Sequence, residues 1–163
     1  MTNRVKIKTG IGFDAHRFAD DRPLVLGGVE IPYSKGLAGH SDADVLIHAI
    51  IDSLAGAALG VDIGTLFPDT DESYKGINSG ILLEKTVSLI KEEGLEIGNI
   101  DVQVILEEPR LKNYITGMRR ALAGILSIDL ENITIKATTT EKMGFCGRKE
   151  GIAALAVCLL TRN

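Results

Sequence analysis

Val5-Lys6-Ile7-Lys8-Thr9-Gly10-Ile11-Gly12-Phe13-Asp14-Ala15-His16 has a period of two, with apolar residues recurring at the odd positions. That alternation predicts a β-strand reaching about Phe13. Val5, Ile7, Thr9, Ile11 and Phe13 face one way, so Asp14 and His16 share the opposite face. A carboxylate and an imidazole two residues apart on a strand can reach one point above it. The chain has only three histidines, all between residues 16 and 48. A further imidazole, His48, from the helix that follows would complete a three-ligand tetrahedral site with one corner open. An open corner is the mark of catalytic rather than structural zinc.

Working outward, residues 19 to 36 are turn-rich, and Leu24-Val25-Leu26 with Val29 and Ile31 predicts a small hairpin. Ser41 is read as the N-cap of a helix through about Leu59, with Asp44 in its first turn. Residues 60 to 76 form a loop long enough to be functional. A second helix spans Ser79 to Glu93, closed by Gly94. Ile100, Val102, Val104 and Leu106 mark a strand with one buried face, ended by Pro109. Ile115, Met118, Leu122 and Ile125 mark a third helix. Ile133, Ile135 and Ala137 mark another strand, and Gly151 to Leu160 a nearly continuous apolar one. This order predicts a layered α+β domain, residues 1–163, with helices on one face of a mixed sheet.

A length of 163 residues suits a single domain with its own hydrophobic core. The net charge of -4 speaks against a nucleic-acid partner, which would need a clustered basic face. No stretch approaches the roughly 20 apolar residues of a membrane span, so no membrane partner is expected. Cys146 and Cys158 lack metal or redox spacing and read as small buried apolar residues in a reducing compartment. Met1-Thr2-Asn3-Arg4 leads straight into the strand, so a cytoplasmic location is expected, or a plastid-type organelle if a transit peptide was removed.

The chemistry-bearing residues each have a plainer reading. On a helix, Asp44, His48 and Asp52 share a face, so a carboxylate can hold the His48 ring, or the three can form surface ion pairs. Gly39-His40-Ser41-Asp42 is a glycine-led turn into a helix start, suited to a phosphate, or simply a capped helix with an exposed histidine. In Lys136-Ala137-Thr138-Thr139-Thr140-Glu141-Lys142, hydroxyls and amides can hold a diphosphate and Glu141 a hard cation. The alternative is β-branched strand residues and a cap. Arg148 lies between Gly147 and Gly151 as a fixed positive charge or as an ordinary surface arginine.

Several blocks together resemble one family: Ile11 through Phe18, Leu26 through Val29 with Ile31-Pro32, and Gly36 through Asp42. To these are added Asp62-Ile63-Gly64 with Phe67 through Asp71, Lys75-Gly76, and Lys136 through Gly144. They are similar, in order and over nearly the whole chain, to the 2-C-methyl-D-erythritol 2,4-cyclodiphosphate synthases, ring-closing enzymes of the non-mevalonate isoprenoid pathway. The resemblance implies that Asp14, His16 and His48 hold Zn²⁺ or another divalent transition metal, and that Glu141 holds Mg²⁺ or Mn²⁺. It places His40 and Ser41 at the substrate phosphates and Asp62 at the ribose and methylerythritol region, with Gly64 and Asp69 of the neighbouring blocks also among the substrate-binding residues. It makes Leu106, Pro109, Arg110, Leu111 and Lys112, with Ala137, Thr138 and Thr139, the cytidine pocket, Thr139 lying close to the diphosphate as a catalytic residue beside Glu141.

The same resemblance implies a homotrimer of ferredoxin-like subunits with active sites between neighbours. It also implies a cavity on the three-fold axis, near Phe13, Phe145, Arg148 and Glu150, able to take an isoprenoid diphosphate; Phe145 and Arg148 count among the ligand-binding residues. Two departures stand out. Ala43 replaces a glycine common in the family, at what reads as a cost-free helix position, and Arg110 replaces a lysine. A zinc phosphohydrolase and a non-catalytic isoprenoid-phosphate binder are the rival readings.

Overall fold

The computed structural model describes residues 6–162, so Val5 and the Met1–Arg4 lead-in fall outside the described residues. In chain order the elements are β1 (Lys6–Ala19), β2 (Leu24–Leu26), β3 (Val29–Ile31), β4 (Gly36–Leu37), α1 (Val45–Leu59) and α2 (Ile63–Leu66). Then come α3 (Ser79–Glu92), β5 (Glu96–Ile105), α4 (Ile115–Leu126), β6 (Ile133–Thr138), α5 (Gly144–Gly147) and β7 (Gly151–Arg162). Every long element of the expected order is present. The short β4, α2 and α5 carry too little periodicity to be read from sequence.

The main sheet has the order β4-β1-β7-β5-β6, and β2 and β3 form the expected hairpin. Only β5 and β6 run parallel; the other neighbours are antiparallel. A parallel pair needs a long crossover, and the segment carrying α4 supplies it. The apolar run of β7 places it between β1 and β5, where Ile152, Ala154, Ala156, Cys158 and Leu160 are all buried. With Ile100, Val102 and Val104 of β5 and Ile133 and Ile135 of β6 they form the face that meets the helices.

The alternation of β1 holds, but its apolar side is not the side that packs on helices. Ile7, Ile11 and Phe13 are 62%, 68% and 56% exposed. The opposite side presents Gly10 and Gly12 to α1, so closely that a Cβ on Gly12 would overlap the Ala49 carbonyl and one on Gly10 the Ser53 carbonyl. Helix and strand backbones therefore meet without intervening side chains. β1 also continues past Phe13 to Ala19, pairing with β7 from Lys6↔Arg162 to Arg17↔Gly151. Asp14 and His16 thus lie inside a paired strand, on its helix-facing side, rather than at its end.

Candidate active site

Three side chains from two elements converge on the helix side of β1. Asp14 and His16 project from the strand and His48 from the first turn of α1. Asp14 Oδ2 lies 2.9 Å from His16 Nε2 and 3.0 Å from His48 Nδ1, and the two imidazole nitrogens are 3.1 Å apart. Three donor atoms within 4.8 Å of one another are the geometry of a metal-binding triad. Each ring is held from behind. His16 Nδ1 meets the Ala38 carbonyl at 2.7 Å, and His48 Nε2 meets the hydroxyls of Ser41 at 3.1 Å and Ser79 at 3.0 Å. Two nitrogens and one carboxylate, with their outer atoms fixed, suit a borderline-soft divalent ion such as zinc.

The electrostatics agree. Burial works to raise the Asp14 carboxyl, but hydrogen bonds and charge from His16 and His48 outweigh it and hold Asp14 well below the usual carboxylate range. Burial works to lower His16, and the Asp14 hydrogen bond and charge raise it above the ordinary histidine value. Protons and a metal ion compete for the same three atoms.

The start of α1 differs from its expected form. Its N-cap is Asp44, not Ser41, and the Asp44 carboxylate accepts from Ile47 N at 3.1 Å, Gly27 N at 3.0 Å and Gly28 N at 2.8 Å. Asp44 is fully buried. Burial pushes its carboxyl up to about 6 against the three amides that favour the anion. Neither Asp44 nor Asp52 touches the His48 ring, because Asp44 ties the helix to the β2–β3 turn and Asp52 accepts from Ile63 N. The carboxylate behind His48 is Asp42, which accepts both the hydroxyl and, at 3.1 Å, the amide of Ser79.

Ala43 overturns a second expectation. It precedes the cap, fully buried, with φ +58, so the methyl sits in left-handed backbone rather than at a neutral helix position. A non-glycine residue there costs roughly 1 kcal/mol.

The triad opens on a cavity of about 250 Å³ lined also by Gly39, His40, Ser41, Gly64, Phe67, Asp69 and Tyr74. Of the expected substrate residues, His40, Ser41, Gly64 and Asp69 therefore gather around the triad. The Ser41 hydroxyl points to His48 and Ser79 and accepts from Ala43 N. Asp62 caps α2 through Thr65 N at 2.8 Å and lies in an adjoining groove with Asp52 and Gly60. Hydrogen bonds from Thr65 hold its carboxyl below the usual range.

A separate pocket of about 240 Å³ collects Leu106, Pro109, Arg110, Leu111, Lys112, Ala137, Thr138 and Thr139. Glu141 follows it in left-handed backbone (φ 53), exposed, on a loop pinned by Glu107, whose carboxylate accepts from Thr140 N at 3.1 Å and Lys142 N at 3.2 Å. Glu141 is not part of the Asp14–His16–His48 cluster. Phe145 lies in a third cavity with Lys149 and Glu150, and Arg148 pairs with Glu150 at 2.7 Å.

Sequence reasoning missed Asp42, Ser79, Arg22 and Glu107. Arg22 donates to the carbonyls of Gly39 at 2.9 Å and Ser41 at 2.7 Å, bracing the loop at the cavity rim. Each acts across a long stretch of chain, and only the opening position of Ser79 on its helix carried any local signal. Cys146 and Cys158 are unpaired and buried, as expected. Among the described residues, no helix is long and apolar enough to cross a membrane.

A model of the YgbB family matches residues 7–161. A 2-C-methyl-D-erythritol 2,4-cyclodiphosphate synthase from Clostridium acetobutylicum is 55% identical over 154 residues, covering 94% of this chain and 99% of that one. One from Brachyspira hyodysenteriae is 55% identical over 157 residues, covering 96% and 99%. Among solved structures, the bifunctional IspDF of Campylobacter jejuni superposes with a TM-score of 0.94 at 46% identity, covering 98% of this chain, which spans 43% of that longer one. A CDP complex of Plasmodium falciparum IspF superposes with a TM-score of 0.83 at 37% identity, covering 96% of this chain and 97% of that one. With the match running through both the triad and the second pocket, the chain belongs to the YgbB family of 2-C-methyl-D-erythritol 2,4-cyclodiphosphate synthases.

Proposed function

We propose that the whole chain, 1–163, is one synthase domain converting 4-diphosphocytidyl-2-C-methyl-D-erythritol 2-phosphate into 2-C-methyl-D-erythritol 2,4-cyclodiphosphate and CMP. The observation that carries this reading is the Asp14–His16–His48 triad lining a cavity of about 250 Å³, in a chain similar over its length to named synthases. The 2-phosphate of the substrate attacks the β-phosphorus of its own diphosphate and CMP departs. The nucleophile is already an anion, so no general base is required, and the chain's task is to fold one substrate conformer and shield like charges. A zinc ion on Asp14, His16 and His48 and a magnesium or manganese ion on Glu141 would supply Lewis-acid neutralisation of the phosphoryl oxygens.

The other assignments draw support from the residues that line the cavities. His40 and Ser41, at the cavity rim, meet phosphate through the loop braced by Arg22. Asp62, Gly64 and Asp69 border the sugar-derived portion. The Leu106–Lys112 and Ala137–Thr139 pocket takes the cytidine, with Thr139 and Glu141 beside the diphosphate. Support for a nucleotide there comes from the CDP complex of the Plasmodium relative.

The triad and the second pocket are separate cavities of one chain, which favours a homotrimer of ferredoxin-like subunits whose active sites lie between neighbours. The exposed Ile7, Ile11, Phe13 and Val157 supply an apolar face for that contact. Phe145, Arg148 and Glu150 would then surround the axis, where an isoprenoid diphosphate fits. A cytoplasmic setting accords with the buried free thiols. The relatives from Clostridium and Brachyspira are bacterial and lend no support to a plastid location.

Phosphorus NMR of the purified chain with this substrate and Mg²⁺, with and without a zinc chelator, tests the reading. A cyclic diphosphate with CMP, lost on chelation, is expected. Linear phosphate products would instead indicate a hydrolase.

A further inference from the structure

The triad shows its metal-facing atoms, and the atoms behind His48 show how that ring is set. Ser79 is fully buried at the first position of α3, and its amide and hydroxyl are both held by the carboxylate of Asp42. A hydroxyl whose hydrogen lies on a carboxylate has only lone pairs left to offer. Those lone pairs face His48 Nε2 at 3.0 Å. The Ser41 oxygen, at 3.1 Å from the same nitrogen and 3.3 Å from Ser79 Oγ, is free to donate its own hydrogen to Ser79. Ser79 Oγ–H thus donates to Asp42, which leaves Ser79 Oγ as an acceptor for His48 Nε2–H.

A neutral imidazole that carries its hydrogen on Nε2 presents a lone pair on Nδ1. Nδ1 is the atom 3.0 Å from Asp14 Oδ2 and 3.1 Å from His16 Nε2. We infer that Ser79, oriented by Asp42, is a positioning residue that fixes His48 in the Nδ1-ligating tautomer and so sets the affinity of the triad for its divalent ion. The inference rests on the metal reading of the triad. It reaches from the loop before α1 to the start of α3, joining segments 37 residues apart in sequence. Outer partners of ligating histidines commonly change metal affinity 10- to 100-fold.

The test uses the full chain with Zn²⁺ as the probe in a competition titration against a chelator, together with nitrogen-15 NMR of the imidazoles in the metal-free protein. Because Asp14 Oδ2 competes for the ring's hydrogen from the Nδ1 side, the unmodified chain should carry hydrogen on His48 Nε2 in a larger share than either variant. Ser79→Ala should lose that preference and bind Zn²⁺ about 10- to 100-fold more weakly, whereas Ser79→Thr, which keeps the hydroxyl, should restore both. Asp42→Asn leaves Ser79 in place but can donate to its oxygen, turning the serine hydrogen toward Nε2. It should move His48 toward the Nδ1–H tautomer and weaken Zn²⁺ comparably. An unchanged His48 tautomer with unchanged Zn²⁺ affinity in both Ser79→Ala and Asp42→Asn would overturn the inference. Absence of Zn²⁺ binding by the unmodified chain would overturn the metal reading itself, with the tautomer result reporting on the positioning role separately.

Discussion

The two sides of β1 are opposite in both composition and burial. The side toward α1 is made of Gly10, Gly12, Asp14 and His16: it has almost no hydrophobic side chain, yet it is packed and carries the chemistry. The other side is made of Ile7, Thr9, Ile11 and Phe13: it is the apolar one, yet it stands exposed beside Val157 of β7. A buried face need not be greasy if backbone packs on backbone, and a greasy face left open calls for something to cover it. The first arrangement brings the strand close enough for a helix histidine to meet Asp14 and His16. The second leaves an apolar face of the kind that a partner surface covers.

Breaking the polar side should give the largest effect. His48→Ala should abolish zinc content by metal analysis and turnover by product assay while the circular dichroism stays native. Retained turnover in a zinc-depleted sample would sink the assignment. Glu141→Gln, on the exposed loop, should keep zinc and lose the Mg²⁺ requirement-dependent turnover, which separates the two proposed metal positions.

Breaking the apolar side comes next. If the proposed trimer forms through this face, Phe13→Asp should give smaller, still folded species by sedimentation velocity. An unchanged sedimentation coefficient would remove β1 from the proposed contact. On the packed side, Gly12→Ala forces a methyl against the Ala49 carbonyl, and should cost about 3 kcal/mol by denaturant titration.

The smallest change sharpens the comparison at the edge of the site. Ala43→Gly relieves left-handed strain but removes a buried methyl and loosens the unfolded chain, so stability should move by less than about 1 kcal/mol. A large loss would show that the Ala43 methyl, which packs near Gly39, matters more than its backbone.

The period-two and helical patterns carried the long elements, because each buries one continuous face, whereas the order β4-β1-β7-β5-β6 in the sheet is set by pairing across long stretches of chain. The triad was legible because a strand doublet and a helix histidine have few ways to meet. The cap was not: Ser41 and Asp44 are equally good caps by residue type, and the choice is made by Gly27 and Gly28, whose amides lie 17 and 16 residues away in sequence. Nor could sequence show that Ala43 adopts a positive φ, since nothing in an alanine favours that angle. The partners of His48 were invisible for the same reason. Asp44 and Asp52 are helical neighbours on paper, but Asp42 reaches the ring only through a serine on another helix.

The triad cavity and the Leu106–Thr139 pocket have no lining residue in common. One is built on β1 and α1, the other on the ends of β5 and β6. Inherited variation in the second can therefore change its shape and charge without disturbing the donor atoms of the first, leaving the two open to separate selection and separate engineering.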